Sequence, residues 1–139
     1  MALLCVDSQL EAALAEASDG IVYIVDDDEP VRDSMKALLE ACAFEVRDYE
    51  SCQSFIDHFD GKPEGCLVLD LHLPVMSGLE FIERFGQRLR GMPVIMVSGR
   101  GDPATFARAR EAGVTAFLEK PFEEDQLLDA VQKLLPSHA

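Results

Sequence analysis

From Ile21 onward the chain repeats one unit, a short run of β-branched and apolar side chains followed by a longer amphipathic stretch. Such alternation marks strand-helix units feeding a parallel sheet, because parallel neighbours need a crossover long enough to hold a helix. Five runs fit: Ile21 to Val25, Glu45 to Tyr49, Cys66 to Asp70, Pro93 to Val97 and Ala116 to Glu119. Three of these runs are almost wholly apolar, as central strands covered on both faces must be. An α/β domain follows.

Local chemistry punctuates the pattern. Pro30, Ser51 and Asp102-Pro103 stand where helices begin, while Gly61, Gly91 and Gly113 stand where they end and turn toward the next strand. The final amphipathic stretch, about Glu123 to Leu135, aligns Leu127, Leu128, Val131, Leu134 and Leu135 on one face, with acids at its N-terminus. Residues 1–19 stand outside this alternation. Leu3, Val6, Leu10, Ala13 and Ala17 recur there at helical spacing, so they read as an N-terminal extension with an amphipathic helical pattern ahead of one domain over residues 20–137. The plainer reading is a frayed extension, since an isolated helix of that length is marginal in water.

With 48% hydrophobic residues the 139-residue chain can build one real core. Twelve Lys and Arg against 26 Asp and Glu leave a formal charge of −14. That field repels phosphate backbones and anionic membranes, so direct nucleic-acid or membrane binding by this chain is not expected. Cys5, Cys42, Cys52 and Cys66 form no CxxC pair and no Cys/His metal spacing. No stretch approaches the roughly 18–20 apolar residues of a membrane span. A reducing, cytoplasmic location is the expectation.

The chemistry-bearing residues sit where apolar runs end: Asp26-Asp27-Asp28, Asp70, Ser98-Gly99 and Lys120-Pro121. In an open parallel sheet these ends share one rim, where such folds bind ligands. Carboxylates packed closely repel and raise one another's pKa unless a cation intervenes. Mg2+ suits an oxygen-rich site, keeps several waters and bridges carboxylates to phosphate oxygens. Lys120 is then a point-charge partner for Asp70 or an incoming phosphoryl group, and Ser98 a hydroxyl donor to it. A carboxylate held between a metal and an ammonium can act as a nucleophile forming an aspartyl-phosphate, and Asp70 is the candidate. Taken singly, each has a plainer reading: the three aspartates as a helix-capping turn, Asp70 as a loop residue bonding its own backbone, His58 and His138 as surface histidines.

Four blocks, IVDDDEPVR, LVLDLHLPVMSGLE, VIMVSGRGD and FLEKPFE, stand in order on these elements. From about Ile21 to Leu135 the chain resembles the receiver domain of bacterial two-component response regulators. The wording is most similar to nitrogen-fixation-type regulators with a helix-turn-helix output. The resemblance implies a flavodoxin-like, doubly wound, five-stranded parallel sheet of order 2-1-3-4-5 with five helices. It implies that Asp70 is the phosphoacceptor, that Asp26 and Asp27 hold Mg2+ together with Asp70 and the main-chain carbonyl of His72, and that Ser98 and Lys120 contact the phosphoryl group. A cis Lys120-Pro121 bond is implied as well. Phe117 matches the aromatic switch that follows Ser98 on phosphorylation and reshapes the face of the fourth helix, fifth strand and fifth helix. The implied partner is a sensor histidine kinase or histidine phosphotransfer protein, with dimerisation through the switch face as one output. The domain would catalyse only its own phosphorylation and dephosphorylation. His72 and Arg100 would flank the phosphosite and govern access of hydrolytic water.

Three rivals share parts of this pattern. An aspartate-nucleophile phosphatase would need a second acid two residues after Asp70, where His72 stands. A flavodoxin-like cofactor binder would need a Ser/Thr/Gly-rich loop after the first strand, where acids stand instead. A receiver-like docking module that is never phosphorylated keeps the fold and works through its surfaces alone.

Overall fold

The computed structural model of the chain describes residues 21–61, 65–89, 91–99 and 102–135. The expected N-terminal helix over residues 1–19, Arg100 and His138 lie outside them. Strands β1 (Ile21–Val25), β2 (Glu45–Tyr49), β3 (Cys66–Asp70), β4 (Val94–Ser98) and β5 (Ala116–Glu119) form one parallel sheet in the order β2-β1-β3-β4-β5. The three central strands, β1, β3 and β4, are buried at every position. At the edge, β2 exposes Glu45 and Arg47 around buried Val46. Helices α1 (Glu29–Ala41), α2 (Cys52–His58), α3 (Gly78–Phe85), α4 (Pro103–Glu111) and α5 (Glu124–Leu134) link and cover the strands, with a 3-10 turn at Gly86–Leu89.

The two-residue period of a strand divides the apolar side chains between two cores. Ile21, Tyr23 and Val25 of β1 pack on one side with Phe55 of α2 and Phe81 of α3. Val22 and Ile24 pack on the other with Met35 and Leu39 of α1 and Leu127 and Val131 of α5. Phe55 is the aromatic centre of the first core, with its ring 5.4 Å from Tyr23, 5.4 Å from Tyr49, 5.3 Å from Phe59 and 5.8 Å from Phe81. Burial pushes the thiols of Cys52 and Cys66 up to about 12, so both stay protonated and unreactive.

Side-chain caps start four helices. Asp28, Ser51 and Asp102 accept from Val31, Ser54 and Thr105 N–H groups at 3.3, 3.0 and 2.7 Å. Helix α3 carries a capping box in which Ser77 Oγ accepts from Glu80 N at 3.1 Å and Glu80 accepts from Ser77 N at 3.2 Å. One strand is displaced from the sequence expectation at both ends. Strand β4 begins at Val94, because Pro93 has no N–H to give the ladder, and it runs on through Ser98, whose carbonyl accepts from Lys120 N at 2.8 Å. Helix α2 ends at His58 with Phe59 as its C-cap. Among the described residues no helix is long and apolar enough to cross a membrane.

Glycine is required at position 78 by close approach. A Cβ there would fall against the Asp70 carbonyl, while Gly78 N donates to Leu71 O at 2.9 Å. Gly78→Ala is expected to cost about 1–3 kcal/mol by overpacking. A lowered urea midpoint at unchanged slope is the readout; an unchanged midpoint would contradict this packing.

Candidate functional site

The parallel register brings the carboxyl ends of β1, β3, β4 and β5 to one rim. The backbone ladder continues just past the strands, with Asp26 N donating to Tyr49 O at 3.1 Å, Leu71 N to Val97 O at 2.8 Å and Lys120 N to Ser98 O at 2.8 Å. Loop residues therefore inherit the rigidity of the sheet. Asp26 is 1% exposed, Asp70 5% and Ser98 3%, and these are the buried polar side chains among the described residues.

The two buried carboxylates are held alike. Asp26 Oδ1 accepts from Asp28 N at 2.9 Å, and Asp70 Oδ1 accepts from His72 N at 3.0 Å. Their other oxygens accept from one ammonium, with Lys120 Nζ 3.2 Å from Asp26 Oδ2 and 3.4 Å from Asp70 Oδ2. The Lys120-Pro121 bond is cis. Asp27 adds an exposed third carboxylate, and ligand oxygens of Asp26, Asp27 and Asp70 lie within 4.8 Å of one another. Asp28, by contrast, turns away to cap α1.

Burial, joined by the charge of Asp26, holds the Asp70 carboxyl above its ordinary range, against the pull of the His72 N–H and of Lys120. Burial also pulls on the Lys120 ammonium, but Asp26 and Asp70 outweigh it and keep that group above its usual value. Three carboxylates against one ammonium leave excess negative charge on an all-oxygen donor set open through Asp27. That composition fits a hard divalent cation such as Mg2+.

Ser98 ends β4 with its hydroxyl 3.4 Å from His72 Nε2. His72 itself is exposed. Phe117 stands apart from the acids, half-buried on β5 opposite Met96, with its ring 4.9 Å from that of Phe106 and 5.4 Å from the Arg110 guanidinium. One residue at the rim had no role in the sequence reading. Arg32, the last residue of IVDDDEPVR, returns over the β1–α1 connection and donates to the Asp26 carbonyl at 2.7 Å. Its position four residues after the cap Asp28, one helical turn along, was the available signal.

A carboxyl whose pKa rises on folding contributes most below its unfolded pKa and loses that contribution as pH climbs through the folded value. Ionised Asp70 therefore costs stability at neutral pH. In EDTA, Asp70→Asn is expected to melt above the wild type at pH 7, with the gap closing as pH falls through the carboxylate range. A gap that is absent or widens in acid would contradict this.

The family model for the response regulator receiver domain matches residues 22–132. Transcriptional regulatory protein FixJ of Bradyrhizobium diazoefficiens is 34% identical over 116 residues, covering 84% of this chain and 57% of FixJ. The structure of response regulator StyR matches with a TM-score of 0.77 at 39% identity, covering 84% of this chain and 59% of that one. A CheY-like receiver domain protein from Methanospirillum hungatei matches with a TM-score of 0.78 at 28% identity over 85% of this chain and 95% of its own. The chain thus spans about half the length of the curated relatives it matches, 57% in the case of FixJ. Since the match runs without a break from β1 into α5, the chain belongs to the response regulator receiver domain family, the phosphorylation-signalling modules of two-component systems.

Proposed function

We propose that this chain accepts a phosphoryl group on Asp70 from the phosphohistidine of a sensor histidine kinase or a histidine phosphotransfer protein, with Mg2+ required. The observation that carries the reading is the shared ammonium: Lys120 Nζ lies 3.4 Å from Asp70 and 3.2 Å from Asp26, inside a three-carboxylate cluster. Asp26, Asp27, Asp70 and the main-chain carbonyl of His72 would hold the ion. Bound there, Mg2+ supplies positive charge for the carboxylates and the phosphoryl oxygens.

The remaining chemistry belongs to the chain. An Asp70 carboxylate oxygen forms the new P–O bond as the donor's P–N bond breaks, and the electron pair returns to the donor imidazole nitrogen. Lys120 donates to the transferred group's oxygens, and its charge offsets theirs. The Ser98 hydroxyl exchanges its His72 contact for a phosphoryl oxygen, which draws the end of β4 inward. Phe117 then rotates and reshapes the face of α4, β5 and α5. Its half-buried place beneath Phe106 and Arg110 supports that role. Moving such an equilibrium from mostly off to mostly on takes about 5.5 kcal/mol of differential stabilisation. Output proceeds through that face, by dimerisation or contact with a further domain, from the cytoplasm.

Intact-mass spectrometry after incubation with Mg2+ and acetyl phosphate tests the reading. One added phosphoryl group is expected on wild type, and none on Asp70→Asn or on wild type in EDTA. Equal modification of Asp70→Asn would contradict the assignment. Wild type left unmodified by both acetyl phosphate and a phosphorylated histidine phosphotransfer domain would favour the docking-module reading instead.

A further inference from the structure

The side chain of Arg32 is 12% exposed and closes a ring of interactions around the first rim loop. Its Nη1 donates to the Asp26 carbonyl at 2.7 Å, and its Nε donates to Asp48 Oδ2 at 2.9 Å. Asp48 immediately precedes Tyr49, whose carbonyl accepts from Asp26 N at 3.1 Å. The peptide groups on both sides of Asp26 are thus tied to the end of β2, one directly and one through the guanidinium.

This ring has work to do, because Asp26 and Asp27 face Asp70 and like charges push the β1–α1 connection away from β3. A planar guanidinium presents its N–H groups at fixed angles and can span a carbonyl and a carboxylate together, which a single ammonium cannot reproduce. The charge of Arg32 is answered by Asp48 at 2.9 Å and Glu29 at 4.0 Å, two carboxylates that together face Arg32 and Lys36, whose Nζ donates to Asp48 at 3.4 Å. The guanidinium therefore acts mainly through geometry, adding little net positive field that would oppose a cation.

We propose that Arg32 is a positioning residue for the acid cluster: it orients the Asp26-Asp27 peptide so that both carboxylates converge with Asp70 on one divalent cation. The proposal rests on the reading of that cluster as an Mg2+ site. The test is an NMR titration of the full chain with Mg2+, following amide shifts in wild type, Arg32→Lys, Arg32→Gln and the control Arg108→Gln. Arg108 pairs with Glu83 at 2.8 Å between α4 and α3, outside the cluster. Melting temperature and metal-free amide exchange at Asp26 and Asp28 are recorded for each protein.

Both Arg32 variants are expected to bind Mg2+ about 10–100-fold more weakly, as loss of a residue that orients a ligand does. Exchange at Asp26 and Asp28 should accelerate, while Arg108→Gln keeps wild-type affinity. Should Arg32→Gln fail to fold, Arg32→Lys carries the comparison, since it retains the charge and loses the fork. Arg32→Lys binding as wild type does, or Arg32→Gln binding more tightly, would overturn the positioning role alone. Wild type showing no Mg2+-dependent shifts at the rim would overturn the metal reading and this role with it.

Discussion

Two carboxylates buried side by side persist in this fold because one ammonium serves both. Asp26 follows β1 and Asp70 ends the adjacent central strand β3, so the sheet order itself makes them neighbours. Lys120 comes from the far edge. Its main chain is fixed to Ser98 at 2.8 Å, and its side chain spans the end of β4 to reach β3 and β1. A long, unbranched cation is what that distance asks for. The pairing leaves the cluster short of positive charge, a deficit that fits a hard divalent cation.

The rest of the molecule holds that arrangement still. Backbone hydrogen bonds run past β1, β3 and β5, so the rim side chains stand on the sheet or its extensions rather than on free loops. The two cores pin the sheet from both faces, and the edge strand β2 anchors the first acid through Tyr49 and Arg32. Gly78 lets α3 begin directly against the Asp70 backbone, coupling helix packing to the position of that carboxylate. Phe117 stands apart from the acids on β5, half-buried in the ladder opposite Met96, with Phe106 and Arg110 of α4 against its ring.

Much of this was legible in the residues, for physical reasons. The runs that became β1, β2, β3 and β5 were bounded correctly because buried parallel strands demand apolar continuity, and the turn chemistry flanking them is strict. The split among Asp26, Asp27 and Asp28 was not readable from residue type. Three identical side chains take three tasks, and Asp28 becomes a helix cap because its backbone is extended at φ −89. Asp70 ends a strand rather than standing in a loop, yet one of its oxygens bonds the His72 N–H as the plain reading has it, while the other faces Lys120. Ser98 proved to be a strand residue rather than the first loop residue, as ladder bonding depends on its neighbour β5. Val75 adopts φ 69 without glycine to announce it, in a turn where Met76 N meets Pro74 O at 2.7 Å. For Arg32 only the helical position was legible, since its Asp48 partner lies 16 residues away on β2.

The proposed chemistry puts the phosphoryl group on Asp70 and on no other aspartate. Borohydride reduces an aspartyl-phosphate to homoserine, so reduction of the phosphorylated chain followed by peptide mapping reads the acceptor directly. Homoserine at position 70, with every other aspartate intact, is the predicted result. Homoserine at Asp26, Asp27 or elsewhere in place of position 70 would contradict the account, whatever the total phosphate incorporated.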